Sequence, residues 1–364
     1  MLDIKLLIND MIKRNASDLH LKVGRRPVLR IDSVLYDTEF DIATDEDIRS
    51  IAYSAMNDFY KRKFEEEKEV DFAFEPFNLG RFRTNIYLQR GHIGIAMRRV
   101  QMKVPTFEEL GLPSILGNIA LSERGIILLT GTTSCGKSTT LASMIHYINM
   151  NRKEHIMTIE NPIEYLHTDQ KSIINQREVG IDTDSFHIAL KHVMRQDPDV
   201  IVIGEMRDAQ SFMAALAASD TGHLVFSTLH TTNASQVVGR ILDFFPQNER
   251  DQIRRQIAMN LRAAVCQRLV PKSSGVGVVP AVEILINSLT VQKLIYENKT
   301  EKLPAAIETG TDEGMQTFNQ SLLKLYNDKL ITREAALEYS SNPEALKMNM
   351  QGIFLDESKR ILAS

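Results

Sequence analysis

The sequence has too few cysteines to build a disulfide framework. Cys135 and Cys266 are the only two among 364 residues, which excludes a four-cysteine metal site and fits a reducing compartment. Long apolar runs are also missing. Runs such as Ile126–Leu129 and Val200–Ile203 fall far short of the roughly 20 residues that span a bilayer. There is no excess of positive charge either: the formal net charge is −4, so no global field draws the chain to nucleic acid or to an anionic membrane. Asp3, Lys5 and Asp10 interrupt the first apolar residues, and no small-residue cleavage site follows, so no signal peptide is read there. Repeats and low-complexity segments are absent. These absences predict a folded cytoplasmic protein that reaches a membrane only through a partner.

What is present is ordinary for a globular chain, with 43% hydrophobic and 25% charged residues, and the length allows two domains. Leu2, Leu6, Leu7 and Met11 predict one helix face. Strand alternation follows at Pro27–Asp32, then a helix near Asp45–Met56 with Thr44 as its N-cap. Glu65–Glu69 reads as a solvated helix end, and strands are expected at Val70–Phe74, Arg81–Gln89 and Ile93–Arg98. Residues 1–100 therefore read as a small α+β domain. Residues 101–113 carry two prolines and break the periodicity, as a linker does. From 114 to 285 short apolar runs alternate with helical stretches: GIILLT, HIMTIE, DVIVIGE and HLVFSTLH. That alternation predicts an α/β domain with a largely parallel sheet. Residues 286–364 read as helical, with helices near Phe318–Asn327, Arg333–Tyr339 and Pro343–Met350. Asn342 caps the last of these, with Pro343 at its first position. The tail from Ile353 to Leu362 reads as an amphipathic helix docked on the core or on a neighbour.

Gly131-Thr132-Thr133-Ser134-Cys135-Gly136-Lys137-Ser138, followed by Thr139, matches G-x-x-x-x-G-K-[ST] in full. A strand precedes it and a helix follows, which is the context the motif requires. Backbone N–H groups of such a loop, with the helix N-terminus behind them, make a nest for phosphate. Lys137 would reach the β and γ phosphates of ATP, and the Ser138 hydroxyl would ligate Mg²⁺. Glu205 follows the strand Val200–Ile203 and faces the crevice where nucleotides bind in parallel sheets. There it would act as general base, or hold the magnesium shell through water. Glu160 and Glu164 follow the strand His155–Ile159, and His223 and His230 flank the strand between them. Acids and imidazoles gathered on one rim suit phosphoryl transfer, although a lone histidine at a strand end is usually a structural residue.

These residues resemble the secretion ATPases, and within them the type IV pilus retraction ATPases. The resemblance runs through Ser17-Asp18-Leu19-His20, Gly80-Arg81-Phe82-Arg83-Thr84-Asn85 and Gln89-Arg90. It continues through the phosphate loop, Thr158-Ile159-Glu160-Asn161-Pro162-Ile163-Glu164 and Gln176-Arg177-Glu178-Val179-Gly180. It then takes in Arg195-Gln196-Asp197-Pro198-Asp199, Gly204-Glu205-Met206-Arg207-Asp208 (the Walker B region), Thr221-Gly222-His223, Thr228-Leu229-His230-Thr231 and Gly314-Met315-Gln316-Thr317-Phe318. It implies a RecA-like P-loop ATPase core, a PAS-like N-terminal domain, C-terminal helices and a homo-hexameric ring. It also implies nucleotide between the two domains, with Arg81, Arg83 and Arg98 approaching its phosphates. The implied load is an inner-membrane pilus platform protein and, through it, the pilins. A paralogous retraction ATPase is a further implied partner, and no nucleic acid is expected.

Three departures stand out. Ser134-Cys135 replaces the usual Gly-Ser, which restricts a loop that needs φ > 0. Cys135 beside a helix N-terminus has a position that can lower its pKa, but the favoured reading is a small residue merely tolerated there. Asn161 replaces an aspartate, shifting weight onto Glu160 and Glu164. The Ala-Ile-Arg-Asn-Leu-Ile-Arg-Glu segment usual in retraction ATPases is here Thr290-Val291-Gln292-Lys293-Leu294-Ile295-Tyr296-Glu297, without either arginine. Main and accessory motor therefore both stay open. So do a pilus assembly or type II secretion ATPase, a weakly hydrolysing ring partner and a nucleic-acid motor.

Overall fold

Alternating burial builds the first sheet. Along Phe82–Gln89, Phe82, Thr84 and Ile86 point into a core while Arg83 faces water, the period of two that a half-buried antiparallel strand requires. The computed structural model describes residues 2–31, 34–100 and 103–353. Asp32 of the expected Pro27–Asp32 strand, Gln101 of the linker, and the tail residues from Phe354 to Leu362 lie outside them. The chain divides into two units, Met1–Lys103 with Glu164–Leu166, and Val104–Ile163 with His167–Ser364.

The first unit holds β1 (Asp18–Lys22), β2 (Val28–Ile31), β3 (Val34–Asp37), β4 (Glu69–Phe74), β5 (Phe82–Gln89) and β6 (His92–Arg99). They form an antiparallel sheet in the order β3-β2-β1-β6-β5-β4. Its core joins Leu19, Leu29, Phe72, Phe82 and Ile86 to helix residues Leu7, Ile8, Met11, Ile48 and Ile51. In the helix Ile4–Lys13 the inward face is Leu7, Ile8 and Met11. Leu6, expected on that face, is 54% exposed, because Leu7, Ile8 and Met11 fill the i, i+1, i+4 stripe. Thr44 caps Asp45–Ala55 as expected, in a reciprocal box with Asp47.

The second unit is built on β7 (Gly125–Thr130), β8 (His155–Glu160), β9 (Ile173–Glu178), β10 (Val200–Ile203), β11 (Leu224–Leu229), β12 (Leu261–Pro271) and β13 (Val278–Ile286). Their order is β13-β12-β7-β11-β10-β8-β9. All pairings are parallel except β12 with β13. β7, β10 and β11 are buried at every residue, which is why each reads as a continuous apolar run. β9 and β12 escape that reading because Asn175, Gln176, Gln267 and Arg268 interrupt them, and hydrophobic runs alone do not find such strands. The helices Phe318–Asn327, Arg333–Glu338 and Pro343–Met350 are present, the last capped by Asn342. Leu322, Leu325, Ala336 and Leu346 belong to the same core as Leu128 and Val225, so the C-terminal helices complete the sheet's cover.

The expected linker, 101–113, contains the boundary between the two units, which falls after Lys103. Residues 104–113 belong to the second unit. Ser143 donates to the Pro105 carbonyl at 2.6 Å, Thr106 and Glu109 form a capping box, and Leu112 is buried. Capping and apolar contact thus fold onto the core a segment whose prolines suggested a hinge.

Candidate active site

β7 ends at Thr130 and the helix Lys137–Asn151 begins six residues past Gly131. Between them the backbone is left-handed at Gly131 (φ 139°), Ser134 (φ 62°) and Gly136 (φ 90°). A side chain at Gly131 would put its Cβ 2.5 Å from Cys135 Sγ and 2.6 Å from the Gln267 carbonyl oxygen. At Gly136 it would fall 2.6 Å from Gln267 Nε2. Both glycines are therefore required by space as well as by φ. Ser134 occupies a left-handed position without that freedom, at a cost of about 1–2 kcal/mol. Lys137 Nζ donates to the carbonyls of Gly131 at 2.9 Å and Thr132 at 2.8 Å. Its charge stands at the mouth of the nest made by the loop N–H groups and the helix N-terminus.

Cys135 does not have the lowered pKa that its place beside a helix N-terminus offers. The thiol is 4% exposed, and burial raises its pKa against the smaller opposing pull of Lys137. Desolvation outweighs the nearby charge, so Cys135 is a packing residue against Gly131. Two cavities flank the loop. One of about 500 Å³ opens onto Gly131–Cys135, Arg268 and Tyr339. The other, of about 390 Å³, opens onto Gly136, Thr139, Leu112, Leu269 and Val279. The second adjoins the first turn of the helix and has a mixed lining, with Glu108, Glu109 and Lys272 beside its apolar side chains.

Parallel strands bring their C-terminal ends to one edge, and β7, β8, β10 and β11 deliver Gly131, Glu160, Glu205 and His230 there. Glu205 is aimed by its neighbours: Met206 N–H donates to the Thr228 carbonyl at 3.1 Å, and Thr228 Oγ1 donates to the Gly204 carbonyl at 2.8 Å. Its Oε2 accepts from Arg207 Nε at 2.8 Å and lies 2.7 Å from Nη2, while Oε1 is 3.2 Å from His230 Nε2. The carboxylate raises the pKa of Arg207 through that hydrogen bond and its charge. Glu160 accepts from Thr158 Oγ1 at 2.6 Å and Gln176 Nε2 at 3.1 Å.

His223 was expected on this rim and is not there. It precedes β11, whereas His230 follows it. A six-residue strand separates the two rings by about 20 Å. His223 Nδ1 lies 2.9 Å from the Ala218 carbonyl, closing the end of a helix. Glu164 belongs with Tyr165 and Leu166 to the first unit, and Glu160 to the second. Within the first unit Arg81 pairs with Glu75 at 3.0 Å, Arg83 with Asp71 at 3.8 Å, and Arg98 with the buried Asp18 at 2.7 Å. Ser17 Oγ also donates to Asp18. Among the described residues no three His, Cys, Asp or Glu side chains form a metal cluster. Magnesium suits such a site, since it binds through one or two protein oxygens, water and the substrate's phosphates; Ser138 in the helix's first turn has the right oxygen.

Two residues that sequence reasoning missed stand on β12. Gln267 hydrogen-bonds both Thr140 and Cys135. Arg268 lies 3.8 Å over the Phe318 ring and donates to Thr232, Asn233 and Ser341, beside Glu283, whose pKa burial pushes up. The only early signal for either was a polar pair inside an apolar stretch.

Comparison with known proteins extends this picture. The profile of a family described as type II/IV secretion system protein matches residues 2–350. The chain is 39% identical over 347 residues to the type IV pilus ATPase PilU of Pseudomonas aeruginosa, covering 95% of this chain and 91% of that one. It is 41% identical over 343 residues to the type IV pilus retraction ATPase PilT of the same organism, covering 94% and 99%. A crystal structure of the pilus retraction motor PilT with bound ADP matches with a TM-score of 0.89 at 44% identity, over 95% of this chain and 99% of that one.

Proposed function

The chain belongs to the type II/IV secretion system protein family, and on that premise we propose that it hydrolyses ATP to power retraction of type IV pili. The observation that carries the chemistry is Glu205, held between Arg207 and His230 on the strand edge that also presents the phosphate loop. ATP lays its phosphates on the N–H groups of the loop. Lys137 turns from the Gly131 and Thr132 carbonyls to the β and γ phosphates. Magnesium, when bound through Ser138 and water, neutralises charge on the phosphate oxygens. Glu205 orients the attacking water and takes its proton, while Arg207 and His230 fix the carboxylate's rotamer. Glu160 is a second acid on the same edge.

What supports retraction as the direction of work is identity of about 40% to PilT and PilU along nearly the whole of both chains. The ADP in the similar motor supports nucleotide as the ligand. The working form is a homo-hexameric ring in which Arg81, Arg83 and Arg98 leave their acid partners to stabilise phosphate charge. The load is the inner-membrane pilus platform protein and through it the pilins, with the ring on its cytoplasmic side. An accessory role beside a paralogous motor has one observation in its favour. In the helix Leu289–Tyr296 the retained Leu294 and Ile295 are buried, but Tyr296, where retraction motors carry arginine, is 47% exposed. The change leaves the fold and alters the surface that a partner meets.

Lys137→Ala tests the proposal. The variant is expected to abolish hydrolysis and to leave cells with abundant, immobile surface pili. A bald surface would overturn retraction in favour of assembly, and unchanged turnover would overturn the site.

A further inference from the structure

The phosphate loop has few means of holding its own shape. Three of its residues are left-handed, and β7 makes its last ladder pairs at Thr130, with Leu229 on one side and Cys266 on the other. Lys137 clasps two loop carbonyls, but the same ammonium is needed by phosphate. One residue beyond the end of that ladder, on β12, stands Gln267, 5% exposed. Its Nε2 donates to the Cys135 carbonyl at 2.8 Å, and its Oε1 accepts from Thr140 Oγ1 at 2.7 Å. The Cys135 carbonyl can only accept, so the amide nitrogen must face it and the amide oxygen is left for the hydroxyl. Thr140 is one turn into the helix and 1% exposed. Gln267 also lies against both glycines of the motif, its carbonyl oxygen at Gly131 and its amide at Gly136.

We propose that Gln267 is a positioning residue for the nucleotide: its amide ties the loop to the first turn of the helix, so that both sets of N–H groups aim at one phosphate position. The inference rests on the reading of residues 131–138 as the phosphate site and goes beyond it in naming what holds that site in shape. The tie uses no group that phosphate needs, so it persists when Lys137 turns to the ligand. A side chain with one hydrogen-bonding end cannot replace it, because loop and helix must be gripped together. Loss of the tie lets the loop drift from the helix axis, and a misplacement of about 1 Å costs on the order of 10²-fold in rate.

The test uses the full chain. Gln267→Met keeps the volume and removes both bonds; it is expected to raise the KM for Mg–ATP, lower kcat, and reduce kcat/KM about 10²-fold. The rise in Tm that ADP gives should shrink. Thr140→Val cuts the helix end of the same tie and should act in the same direction, with the double variant little worse than the poorer single one. Thr140→Ser, which keeps the hydroxyl, should recover most of what Thr140→Val loses. If Gln267→Met and Thr140→Val lower Tm but leave KM and kcat of the folded protein unchanged, Gln267 is a structural brace and the proposal falls. Should Gln267→Met fail to fold, Thr140→Val with its serine rescue decides alone. Lys137→Ala separates the two failures. If it still hydrolyses ATP, the phosphate-site reading has failed; if it is inactive while the tie variants are normal, only the positioning role is wrong.

Discussion

At one edge of the seven-stranded sheet, where the parallel strands end, the chain places Gly131, Glu160, Glu205 and His230; at the other, where they begin, it places Gly125, His155, Asp199 and His223. Both edges are rich in acids and imidazoles. At the starting edge the polar groups are consumed in tying connections to strands. His155 Nδ1 meets the Asp197 carbonyl at 2.9 Å, its Nε2 meets Asn175 at 2.7 Å, and its backbone N–H donates to Asp199 at 2.8 Å. His223 closes a helix end. At the finishing edge Glu205 is held by side chains, Arg207 and His230, and Lys137 by the loop carbonyls of Gly131 and Thr132. Residue type does not separate the two edges. Strand direction does, because helix N-termini and widening loops gather only at the C-terminal ends of parallel strands.

Substitutions can break or sharpen that contrast. The largest effect after loss of Lys137 is expected from Glu205→Gln, which keeps the shape and removes the proton acceptor. Steady-state hydrolysis should fall by 10²–10⁴ with ATP binding retained; a variant that hydrolyses normally would make the finishing edge as structural as the other. The paired histidines come next. His230→Ala should lower turnover roughly tenfold, the equivalent of one hydrogen bond to a charged group. His223→Ala should leave the turnover of folded protein intact and lower unfolding stability by about 1 kcal/mol. Equal kinetic effects from the two would erase the distinction.

The last effect, on stability and not on turnover, concerns His167 in the segment between β8 and β9. Burial depresses the pKa of His167 from 6.5 to about 4, with His146 adding to the shift, and its Nδ1 has no hydrogen-bond partner. Between these values the unfolded chain binds the extra proton, so stability present above pH 6.5 is lost as pH falls toward 4. His167→Asn should flatten that slope in denaturant titrations, by about 3 kcal/mol at the acid end. An unchanged slope would mean that the ring titrates as it does in water.

Much of the site was legible because its signals are local. Gly131 to Ser138, the strand before them and the helix after them all lie within one short stretch, and spacing alone identifies the nest. Glu205 was legible as an acid after a buried run. Helix position alone could not settle the Cys135 pKa, because helix position is a local property and burial is not: the burial of its sulfur outweighs the pull of Lys137. Leu6 failed for a similar reason, since which of two adjacent leucines faces inward depends on what packs against the helix.

The sequence by itself determined the caps Thr44 and Asn342, the apolar parallel strands and the phosphate loop, though not β9 or β12, since turn chemistry and hydrophobic period act over a few residues. Only the tertiary structure decided which elements meet. It sent His223 to the far edge, drew residues 104–113 onto the second unit, and brought Gln267 across more than a hundred residues to Cys135 and Thr140. Such contacts depend on strand order and register, which arise when the sheet closes its core and are written in no single segment of the chain.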